Sequence, residues 1–596
     1  MTEQVSTDVL IIGGGPAGML SAIYLDLFGI SSIVLERRFE ISQHPKAHEL
    51  SARSIEILCQ MGFSLDELQE EASSYRDASR VLFGHTINTE LGEIDLWSGG
   101  NDEKYKEHLA SAEPYLNLSQ TELEKLMRKK LSNCKHSQLL IGHQWESREE
   151  DGTGVVSQIL NRKDECRFSI KSKYLICADG ANSRSRQFLG IKMIGDEKID
   201  DFISVYFEHN LREHLRKSAK LFWIMHPAAP GTFIAHHIEK RWVYHFPIFP
   251  PYESIEDYPE EVLKQRILTA LGDEDIPLEI SSISLWRMTC QIADCFRMGR
   301  AFLVGDAAHR FPPTGGLGMN SGIGDVQNLC WKMAYVLKGL AGNELLATYE
   351  KERRPVIEQN SEESLRNYYK IWEVPDSMGL NPKAIKWQAI LLNSFPLKFL
   401  PKKWINTLLA KVYESLSKKI LSIPHKPPLH QKVKDSIKDQ IEHFDRIGLD
   451  LGYVYEEGAI IPDADTNIPQ QGVSEYVPSI EPGVRFPHYW ITSGSEKISS
   501  HAWLSPTSFT LLCNGKGEKW WQKEKVNIAP EILSFIQLRN VESNINQASI
   551  PPLVTSFYPI DNVPLLLIRP DGQIAWRPKS LDIDIKSVFS QLIPSV

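Results

Sequence analysis

Residues 8–37 read DVLIIGGGPAGMLSAIYLDLFGISSIVLER. The opening apolar run predicts a buried parallel strand, the helical spacing of Pro16–Phe28 predicts a helix that stops at Gly29, and Ser32–Leu35 predicts a second strand. The turn between the first strand and the helix, Gly13–Gly18, matches G-x-G-x-x-G. This order of strand, glycine turn, helix and strand predicts a Rossmann-like unit that binds a dinucleotide.

Each glycine of the turn has a separate task in dinucleotide binding. Gly13 permits the tight turn, Gly15 lets the backbone approach a pyrophosphate, and Gly18 allows the helix to pack closely on the strand. The start of the helix offers unpaired N–H groups and the positive end of a dipole to the phosphate. Glu36 ends the second strand, where a carboxylate can accept hydrogen bonds from ribose hydroxyls. The motif alone does not choose between NAD and FAD.

The composition is that of a soluble globular protein. The chain has 596 residues, 42% hydrophobic and 24% charged, and its length suggests roughly two to four domains. A formal net charge of −10 argues against a general nucleic-acid binder. The cysteines show neither a CxxC pair nor metal-ligand spacing, so no metal site is predicted. Neither a signal peptide nor a long apolar span is evident, which predicts a cytoplasmic protein.

Residues 201–285 differ in amino-acid composition from the beginning of the chain. Segments such as TFIAHHI and RWVYHFPIF are rich in aromatic and β-branched residues at strand length, which predicts an antiparallel sheet. Strand alternation will direct only half of the side chains towards a cavity on one face. The candidate substrate residues on this sheet are His226, His236, His237 and Tyr244.

Residues 382–426 form a segment with scattered lysines that has helical spacing of its apolar residues. A basic amphipathic helix can lie on a membrane surface or cover a hydrophobic pocket. We favour a lysine-covered helix that packs on its own protein. The proline-containing segment Ile423–Val433 predicts a linker before the C-terminal part of the chain.

Segment Gly299–Leu329, GRAFLVGDAAHRFPPTGGLGMNSGIGDVQNL, resembles the second FAD motif of the p-hydroxybenzoate hydroxylase-like (group A) flavin monooxygenases. Other segments agree, in the order of that family. Asp179–Ser183 with Arg186 resembles its DG motif; Pro45–His48, running into Arg53–Leu58, resembles its PRA element; and Gln120–Glu124 is similar to its Q-x-x-L-E helix start. Pro482–His488 and Ile568–Arg577 resemble the thioredoxin-like C-terminal domain of the phenol, dichlorophenol and polyketide hydroxylase branch.

The resemblance covers nearly the whole chain and implies an α/β and α+β multidomain fold. We expect a Rossmann-like FAD-binding domain of the GR2 type over residues 1–80, 115–198 and 288–380. An antiparallel-sheet substrate domain would occupy residues 81–114 and 199–287, followed by a helical linker region at 381–440 and a thioredoxin-like domain at 441–596.

The resemblance also implies the cofactors and the reaction. FAD would be reduced by NADPH or NADH and would react with O2, and a flavin C4a-hydroperoxide would transfer oxygen to an electron-rich aromatic substrate. Asp306 would accept a hydrogen bond from the ribityl chain, and the start of the following helix would face the flavin N1–C2=O edge. The cofactor-binding residues predicted in this way are Gly13, Gly15, Pro16, Ala17, Gly18, Glu36, Arg37, Lys46, Gln120, Asp179, Asp306, Gly316, Gly318, Met319 and Asn320.

The chain departs from the family pattern at three positions. Lys46 replaces the arginine of the PRA element, giving a point charge in place of a bidentate fork. Ser185 stands where the DG motif has valine, and we expect this change to matter little. Cys513 has no partner at CxxC spacing, so the C-terminal domain is expected to be structural and redox-inert.

His48 and Pro313 are the candidate catalytic residues. A phenol has a pKa of about 10, so its deprotonation near neutral pH needs a base or a nearby cation. His48 lies beside the expected flavin site and is our candidate for this role, whereas Pro313 would line the site through its carbonyl group. The substrate would be a small aromatic or polyketide-like molecule, and the family analogy allows a homodimer.

The sequence is also compatible with two other functions. The same fold supports Baeyer–Villiger insertion and quinone-modifying chemistry, which the sequence does not separate from hydroxylation. A non-catalytic FAD-binding interaction protein would hold the cofactor without substrate-stimulated NADPH oxidation. The identity of the substrate and the choice between NADH and NADPH also stay open.

Overall fold

The computed structural model describes residues 5–41, 44–96, 110–381, 383, 386–387, 390–391, 402–462, 468–493, 496–541 and 564–594. It has the mixed α/β multidomain fold that the sequence predicts. Among these residues, no helix combines the length and the apolar character needed to cross a membrane.

The first layer is a sheet built around a central parallel strand. β1 pairs in parallel with β2 and β10, and helix α1 begins directly after the glycine turn. The strands of this sheet are β1 (Val5–Ile12), β2 (Ser32–Glu36), β7 (Ser137–Ile141), β8 (His143–Asp151), β9 (Gly154–Asn161), β10 (Arg167–Cys177), β18 (Arg297–Met298) and β19 (Ala301–Leu303). The helices packed around it are α1 (Pro16–Leu27), α2 (Ala52–Gln60), α5 (Gln120–Leu131), α8 (Leu317–Leu337) and α9 (Glu344–Lys370).

The second layer is a seven-stranded sheet that we call the substrate sheet. Its strand order is β16-β12-β15-β14-β13-β4-β5. One face packs on helix α7 (Glu260–Leu271) through a cluster of buried apolar side chains, and alternate residues of the other face line a cavity. Its strands are β4 (Arg80–Gly84), β5 (Glu90–Asp95), β12 (Asp201–Glu208), β13 (Leu221–Ile224), β14 (Gly231–His237), β15 (Arg241–Ile248) and β16 (Ile280–Arg287).

The C-terminal part contains a four-stranded sheet in the order β24-β23-β25-β26. β23 is parallel to β24 and antiparallel to β25, which is antiparallel to β26. This arrangement is compatible with the predicted thioredoxin-like domain. The elements are β23 (Phe509–Cys513), α14 (Gly515–Glu524), α15 (Pro530–Leu533), β24 (Ile536–Asn540), β25 (Leu565–Ile568), β26 (Ile574–Trp576) and α16 (Ile585–Leu592).

Shorter elements complete the fold. The remaining helices are α3 (Leu65–Glu71), α4 (Tyr75–Ala78), α6 (Arg184–Phe188), α10 (Glu373–Ser377), α11 (Lys402–Leu421), α12 (Pro427–Lys438) and α13 (Ile447–Leu451). The remaining strands are β3 (Glu49–Leu50), β6 (Leu116–Asn117), β11 (Met193–Asp196), β17 (Cys290–Ala293), β20 (His309–Arg310), β21 (Trp490–Ser493) and β22 (Glu496–Ser499).

The predicted linker at Ile423–Val433 is wrong, because α12 begins within it at Pro427. Two prolines at the first positions of a helix cost no hydrogen bond, since these N–H groups have no intrahelical acceptor. Val433 and Ile437 are buried, and a Cβ on Gly92 of β5 would lie 2.8 Å from Ile437 Cδ1. The segment is therefore a packed helix on the substrate sheet.

The segment 382–426 is only partly described, since residues 382, 384–385, 388–389 and 392–401 lie outside the described residues. Its helix α11 places Tyr413, Leu416 and Ile420 in the cavity wall, while Lys418 and Lys419 are exposed. This part of the segment packs on its own protein, and it does so by covering a pocket.

Candidate active site

A cavity of about 1680 Å³ lies between the first sheet, the substrate sheet and helices α9 and α11. One end is formed by the glycine turn, the PRA-like element and the loop before α8. The other end is formed by the substrate sheet and by aromatic residues of the covering helices. Its walls combine polar and apolar groups, as expected of a site that holds a cofactor beside an aromatic substrate.

The glycine turn has the shape that a pyrophosphate site requires. A Cβ on Gly13 would lie 2.3 Å from the Ala178 carbonyl oxygen, and a Cβ on Gly18 would lie 1.9 Å from the Gly13 carbonyl oxygen. A Cβ on Gly15 would meet nothing within 4 Å, so this glycine faces open space in the cavity wall. Gly13 and Gly18 are thus required by packing, whereas Gly15 leaves room for a ligand beside the start of α1.

Glu36 joins the end of β2 to this turn. Its Oε2 accepts a hydrogen bond from the Gly14 N–H at 3.0 Å, and its Oε1 accepts one from the Arg38 N–H at 2.7 Å. The carboxylate also lines the cavity together with Arg37, Pro16 and Ala17. Glu36 therefore stands where a ribose hydroxyl could reach it, and it also fixes the turn.

The loop before α8 forms the facing wall. Asp306 is exposed to the cavity, and its carboxylate makes no hydrogen bond to the residues that the structure describes. Gly316 adopts the left-handed conformation at φ +61°, and α8 begins immediately after it. Gly318 and Met319 line the cavity, and a Cβ on Gly318 would meet nothing within 4 Å. The helix N-terminus thus meets open cavity, where its N–H groups and dipole favour negative charge.

A buried ionic triad, which the sequence did not reveal, holds this loop. Asp325 of α8 accepts hydrogen bonds from the Gly305 N–H at 3.0 Å, from His309 Nε2 at 2.6 Å and from Arg353 Nε at 2.9 Å. Opposite charge and donated hydrogen bonds lower the pKa of Asp325, although burial alone would raise it. Asp325 is the acidic residue of a helix that is rich in apolar residues, and this was the available signal for its role.

Polar groups of α5 line the cavity near the PRA-like element. The Gln120 Nε2 donates to Glu124 Oε1 at 2.7 Å, and both residues line the cavity beside Lys46. The Nε of Arg128, another lining residue, is buried without a hydrogen-bond partner in the described part of the chain. Buried donors of this kind normally have acceptors, and the oxygen-rich chain of a dinucleotide would supply them. These residues therefore fit FAD.

Two predicted cofactor residues have their side chains engaged elsewhere. The Asp179 carboxylate accepts hydrogen bonds from the hydroxyl groups of Ser183 at 2.5 Å and Ser185 at 2.6 Å, so it organises the turn that bears Gly180. Ser185 thus takes an active part in this turn. The Asn320 Oδ1 accepts from Ser54 Oγ at 2.7 Å, and its side chain does not belong to the cavity lining. Asn320 ties α8 to α2, which leaves any cofactor contact to its backbone.

His48 lies in the cavity wall with a defined tautomer. Its Nδ1 is 2.6 Å from Asn117 Oδ1, and the Asn117 Nδ2 donates to the Ala235 carbonyl oxygen at 3.1 Å. Because a carbonyl can only accept, the orientation of the Asn117 amide is fixed, and His48 Nδ1 must carry the hydrogen. In the neutral ring the lone pair is therefore on Nε2, which makes no hydrogen bond within the described residues. Burial lowers the pKa of His48 below its ordinary value.

A buried charge cluster stands next to His48. The Glu49 carboxylate pairs with Lys220 Nζ at 2.7 Å and with Arg446 Nη1 at 3.1 Å. The two cations and the His48 ring lower the pKa of Glu49, which stays ionised despite its burial. Glu49 and Pro313 both belong to the cavity lining. The charged groups that surround the candidate base are thus fixed by packing.

The other candidate substrate residues have different positions. His226 lines the cavity, whereas His237 does not. His236 lies behind His48, at 5.0 Å between ring centroids, with both nitrogens buried and without partners in the described residues. Tyr244 is directed to the opposite face of the sheet, where its hydroxyl donates to the Ala229 carbonyl oxygen at 2.9 Å. The predicted substrate contact of Tyr244 is therefore wrong. His245 and Pro247 of β15 face the cavity, and strand alternation directs Tyr244 to the other face.

The strand register, which sequence reasoning did not supply, gives two rows across the cavity face of the substrate sheet. The first, which we call the polar row, is Ser284, Ser204, His245 and Thr232, each opposite the next on adjacent strands. The second, the aromatic row, is Trp286, Phe202 and Pro247. The rings of Phe202 and Trp286 stack at 5.0 Å between centroids, with an angle of 15° between their planes. This wall suits a flat ring system that carries polar groups.

Comparisons with known proteins agree with this geometry. The FAD binding domain model matches residues 6–364, and the model of the aromatic-ring hydroxylase C-terminal domain matches residues 479–591. Phenol 2-monooxygenase of Pseudomonas sp. (strain EST1001) is 28% identical over 99% of this chain and 93% of its own. Tetracenomycin A2 monooxygenase-dioxygenase of Streptomyces glaucescens is 27% identical over 98% of this chain and 95% of its own.

A solved structure supports the same assignment. The flavin-dependent monooxygenase PieE, in complex with FAD and substrate, superposes with a TM-score of 0.84 at 26% identity, over 99% of each chain. The fold and the cavity therefore define a flavin-dependent monooxygenase that uses FAD, NAD(P)H and O2. The chain belongs to the family of this FAD-binding domain, in the branch that carries the aromatic-ring hydroxylase C-terminal domain. The predicted family, enzyme class and cofactors are confirmed.

Proposed function

We propose that this monooxygenase hydroxylates a polycyclic phenol, with His48 as the base that accepts the phenolic proton. The observation that carries the proposal is the fixed tautomer of His48, whose Nε2 lone pair belongs to a residue of the cavity wall. Bound FAD, reduced by NADPH or NADH, supplies the oxygen atom from O2. The protein's own residues bind the ring, exclude water and hold the proton.

The surroundings of His48 suit a proton acceptor. Burial lowers its pKa, so the ring is neutral near pH 7 and its Nε2 can accept a proton from a phenol. Once protonated, the ring lies beside the Glu49 carboxylate, which stabilises the positive charge. The Nδ1 hydrogen bond to Asn117 keeps the ring in one orientation in both protonation states. A substrate phenolate is more electron-rich than the phenol, which favours attack of its ring on an electrophilic oxygen.

The cavity favours a substrate of several fused rings. Beside the cofactor site, the cavity of about 1680 Å³ extends along the substrate sheet, where the polar row and the aromatic row offer a surface wide enough for a fused ring system. The aromatic row offers a stacking surface, and Trp372, Tyr413 and Leu416 also belong to the cavity lining. The names of the relatives span a simple phenol and a polycyclic tetracenomycin. We place this chain with the enzymes that act on polycyclic substrates.

Substrate-stimulated NADPH oxidation by the FAD-loaded protein tests the proposal. A panel of phenols, naphthols and hydroxyanthracenes should contain a polycyclic phenol that accelerates oxidation and gains one oxygen atom. His48→Gln should lower kcat/KM by about 100-fold or more, as expected for loss of a general base. His237→Gln, outside the cavity, is the matched control. Stimulation by non-phenolic ketones with insertion of oxygen into a C–C bond would instead establish the Baeyer–Villiger alternative.

The division into domains, the cytoplasmic location and the homodimer remain predictions, and peripheral membrane association through residues 382–426 remains the less favoured alternative. The distribution of strands between two sheets supports the division of residues up to 380 into FAD-binding and substrate domains. Light scattering coupled to gel filtration of the FAD-loaded protein would give its oligomeric state. Sedimentation with anionic vesicles would test the membrane association.

A further inference from the structure

The polar row on the substrate sheet contains side chains that are nearly all paired with one another. Ser204 Oγ is 2.8 Å from His245 Nε2 and 2.8 Å from His44 Nε2. The other nitrogen of His44, Nδ1, is 2.8 Å from Ser282 Oγ, and Ser284 Oγ lies 3.2 Å from His44 Nε2. This network satisfies polar groups that would otherwise be costly to bury in the cavity wall.

Two polar atoms of the row have no partner within the described residues. His245 Nδ1 and Thr232 Oγ1 belong to side chains that line the cavity, and neither atom makes a hydrogen bond there. His245 and Thr232 are directly opposite each other on β15 and β14. Cross-strand partners have Cβ atoms about 4.5–5.5 Å apart, so both groups can reach one oxygen atom of a ligand.

The position of His245 is fixed by the network behind it. Because its Nε2 is bonded to Ser204, the ring has one orientation, with Nδ1 turned away from that bond. The hydroxyl groups of Ser204 and Ser282 and the ring of His44 can each donate or accept. The network therefore allows either tautomer of His245, so Nδ1 can donate to a carbonyl oxygen or accept from a hydroxyl. The Thr232 hydroxyl has the same versatility.

We propose that His245 and Thr232 form a second oxygen-binding subsite, which selects aromatic substrates that bear a carbonyl or hydroxyl oxygen in addition to the phenol at His48. The inference rests on the proposed function and narrows its substrate class to polycyclic compounds with at least two ring oxygens, such as hydroxyquinones. The aromatic row lies two residues along the same strands, on the same face of the sheet, so a ring stacked there can present an edge oxygen to the polar row. Ser204 and His44 are positioning residues for this subsite.

Binding of a matched pair of ligands tests the subsite without any turnover. 1-Hydroxyanthraquinone and 1-hydroxyanthracene share a ring skeleton and a phenol, and they differ in the two quinone oxygens. Equilibrium dialysis against the FAD-loaded protein should show tighter binding of the quinone, by about 5- to 10-fold for each neutral hydrogen bond gained. Thr232→Val and His245→Leu should each lose about that factor for the quinone and leave the affinity for 1-hydroxyanthracene within about 2-fold.

Controls separate this inference from the proposed function. Tyr244→Phe, next to His245 but on the opposite face of the strand, should retain the preference of the parent protein. Thr232→Val is nearly isosteric, so its thermal stability should match that of the parent. Equal binding of the two ligands by the parent, or an unchanged preference in both variants, would overturn the subsite. If the subsite is overturned in this way but 1-hydroxyanthracene is oxygenated, the proposed function still holds. If no phenol tested is oxygenated, the proposed function fails, whereas the binding preference still tests the subsite.

Discussion

Arg485 and Glu56 are 429 residues apart in the chain, yet they form a buried, bidentate ion pair between the C-terminal part and helix α2. Arg485 Nε donates to Glu56 Oε2 at 2.9 Å, and Arg53 donates to the same oxygen at 2.9 Å. The side chains of Glu56 and Arg485 are each 1% exposed. The neighbouring cations lower the pKa of Glu56, although its burial alone would raise it. The C-terminal part is therefore joined to the flavin-binding part by paired charges as well as by apolar packing.

Replacement of Arg485 should destabilise the protein strongly. Arg485→Gln leaves the buried carboxylate short of positive charge, which typically costs about 3–5 kcal/mol. We expect a clear fall in the free energy of unfolding and in the melting temperature, measured by denaturant titration and calorimetry. Arg167→Gln breaks a much more exposed pair with Glu146 and should cost far less. An equal fall in the free energy of unfolding in the two variants would show that the buried Arg485 pair stabilises the protein no more than an exposed pair does.

Two glycines of the turn are expected to have different roles, Gly15 in FAD binding and Gly18 in folding. A Cβ on Gly15 meets no protein atom within 4 Å, and the φ of −79° suits alanine. Gly15→Ala should therefore keep the melting temperature of the apoprotein and weaken FAD binding by about 10-fold or more, because the new methyl group occupies the approach to the pyrophosphate.

Gly18→Ala is the matched comparison for this change. Its Cβ would lie 1.9 Å from a backbone oxygen of Gly13, so β1 and α1 must separate. We expect a lower melting temperature even without FAD. Flavin fluorescence titration and calorimetry of the apoproteins would distinguish the two variants. Unchanged FAD affinity in Gly15→Ala would contradict the placement of the pyrophosphate.

Asp325 should control how firmly the flavin-facing loop is held. Asp325→Asn keeps the volume but removes the charge that balances Arg353, and one amide oxygen cannot replace two acceptor atoms. We expect a lower melting temperature and FAD affinity reduced by about 10-fold or more, measured by flavin release on dilution. Glu358→Gln, on the exposed side of α9, is the control. Retention of parent-like FAD affinity in Asp325→Asn would exclude a role for the triad in the loop.

The sequence predicted those parts of the protein in which local patterns carry the information. The glycine turn, the buried strands around it and the family motifs from Gly299 to Leu329 located the flavin end of the cavity. The substrate end depends on register, which no local pattern reveals: Ser204, His245 and Thr232 meet only because three strands pair with a particular alignment. The prediction that Tyr244 contacts the substrate was wrong for the same reason, since a shift by one residue exchanges the two faces of a strand.

Long-range ion pairs were equally hidden from the sequence. Glu56 lies within Arg53–Leu58, the continuation of the PRA-like element, but its partner Arg485 comes from a C-terminal segment that resembles a different domain. Pairing of two charges across such a separation is decided by tertiary packing. Asp325 is recognisable in the sequence as the acidic residue of a helix rich in apolar residues, but only the structure shows the three donors from which it accepts hydrogen bonds.

The acid limb of the pH–rate profile should report the titration of His48. Burial lowers its pKa, so we expect the fall of kcat/KM on acidification to lie at lower pH than the ordinary histidine pKa of about 6.5. The fall occurs because the protonated ring can no longer accept the phenolic proton. The positive charge of Lys220 contributes to this lowering, so Lys220→Met should move the limb to higher pH. Glu49→Gln should move it to lower pH, because the carboxylate favours the protonated ring. Measurement of kcat/KM between pH 5 and 9 in these variants, with His237→Gln as control, checks the sign of each shift. A limb that stays in place in both Lys220→Met and Glu49→Gln would assign the titration to another group.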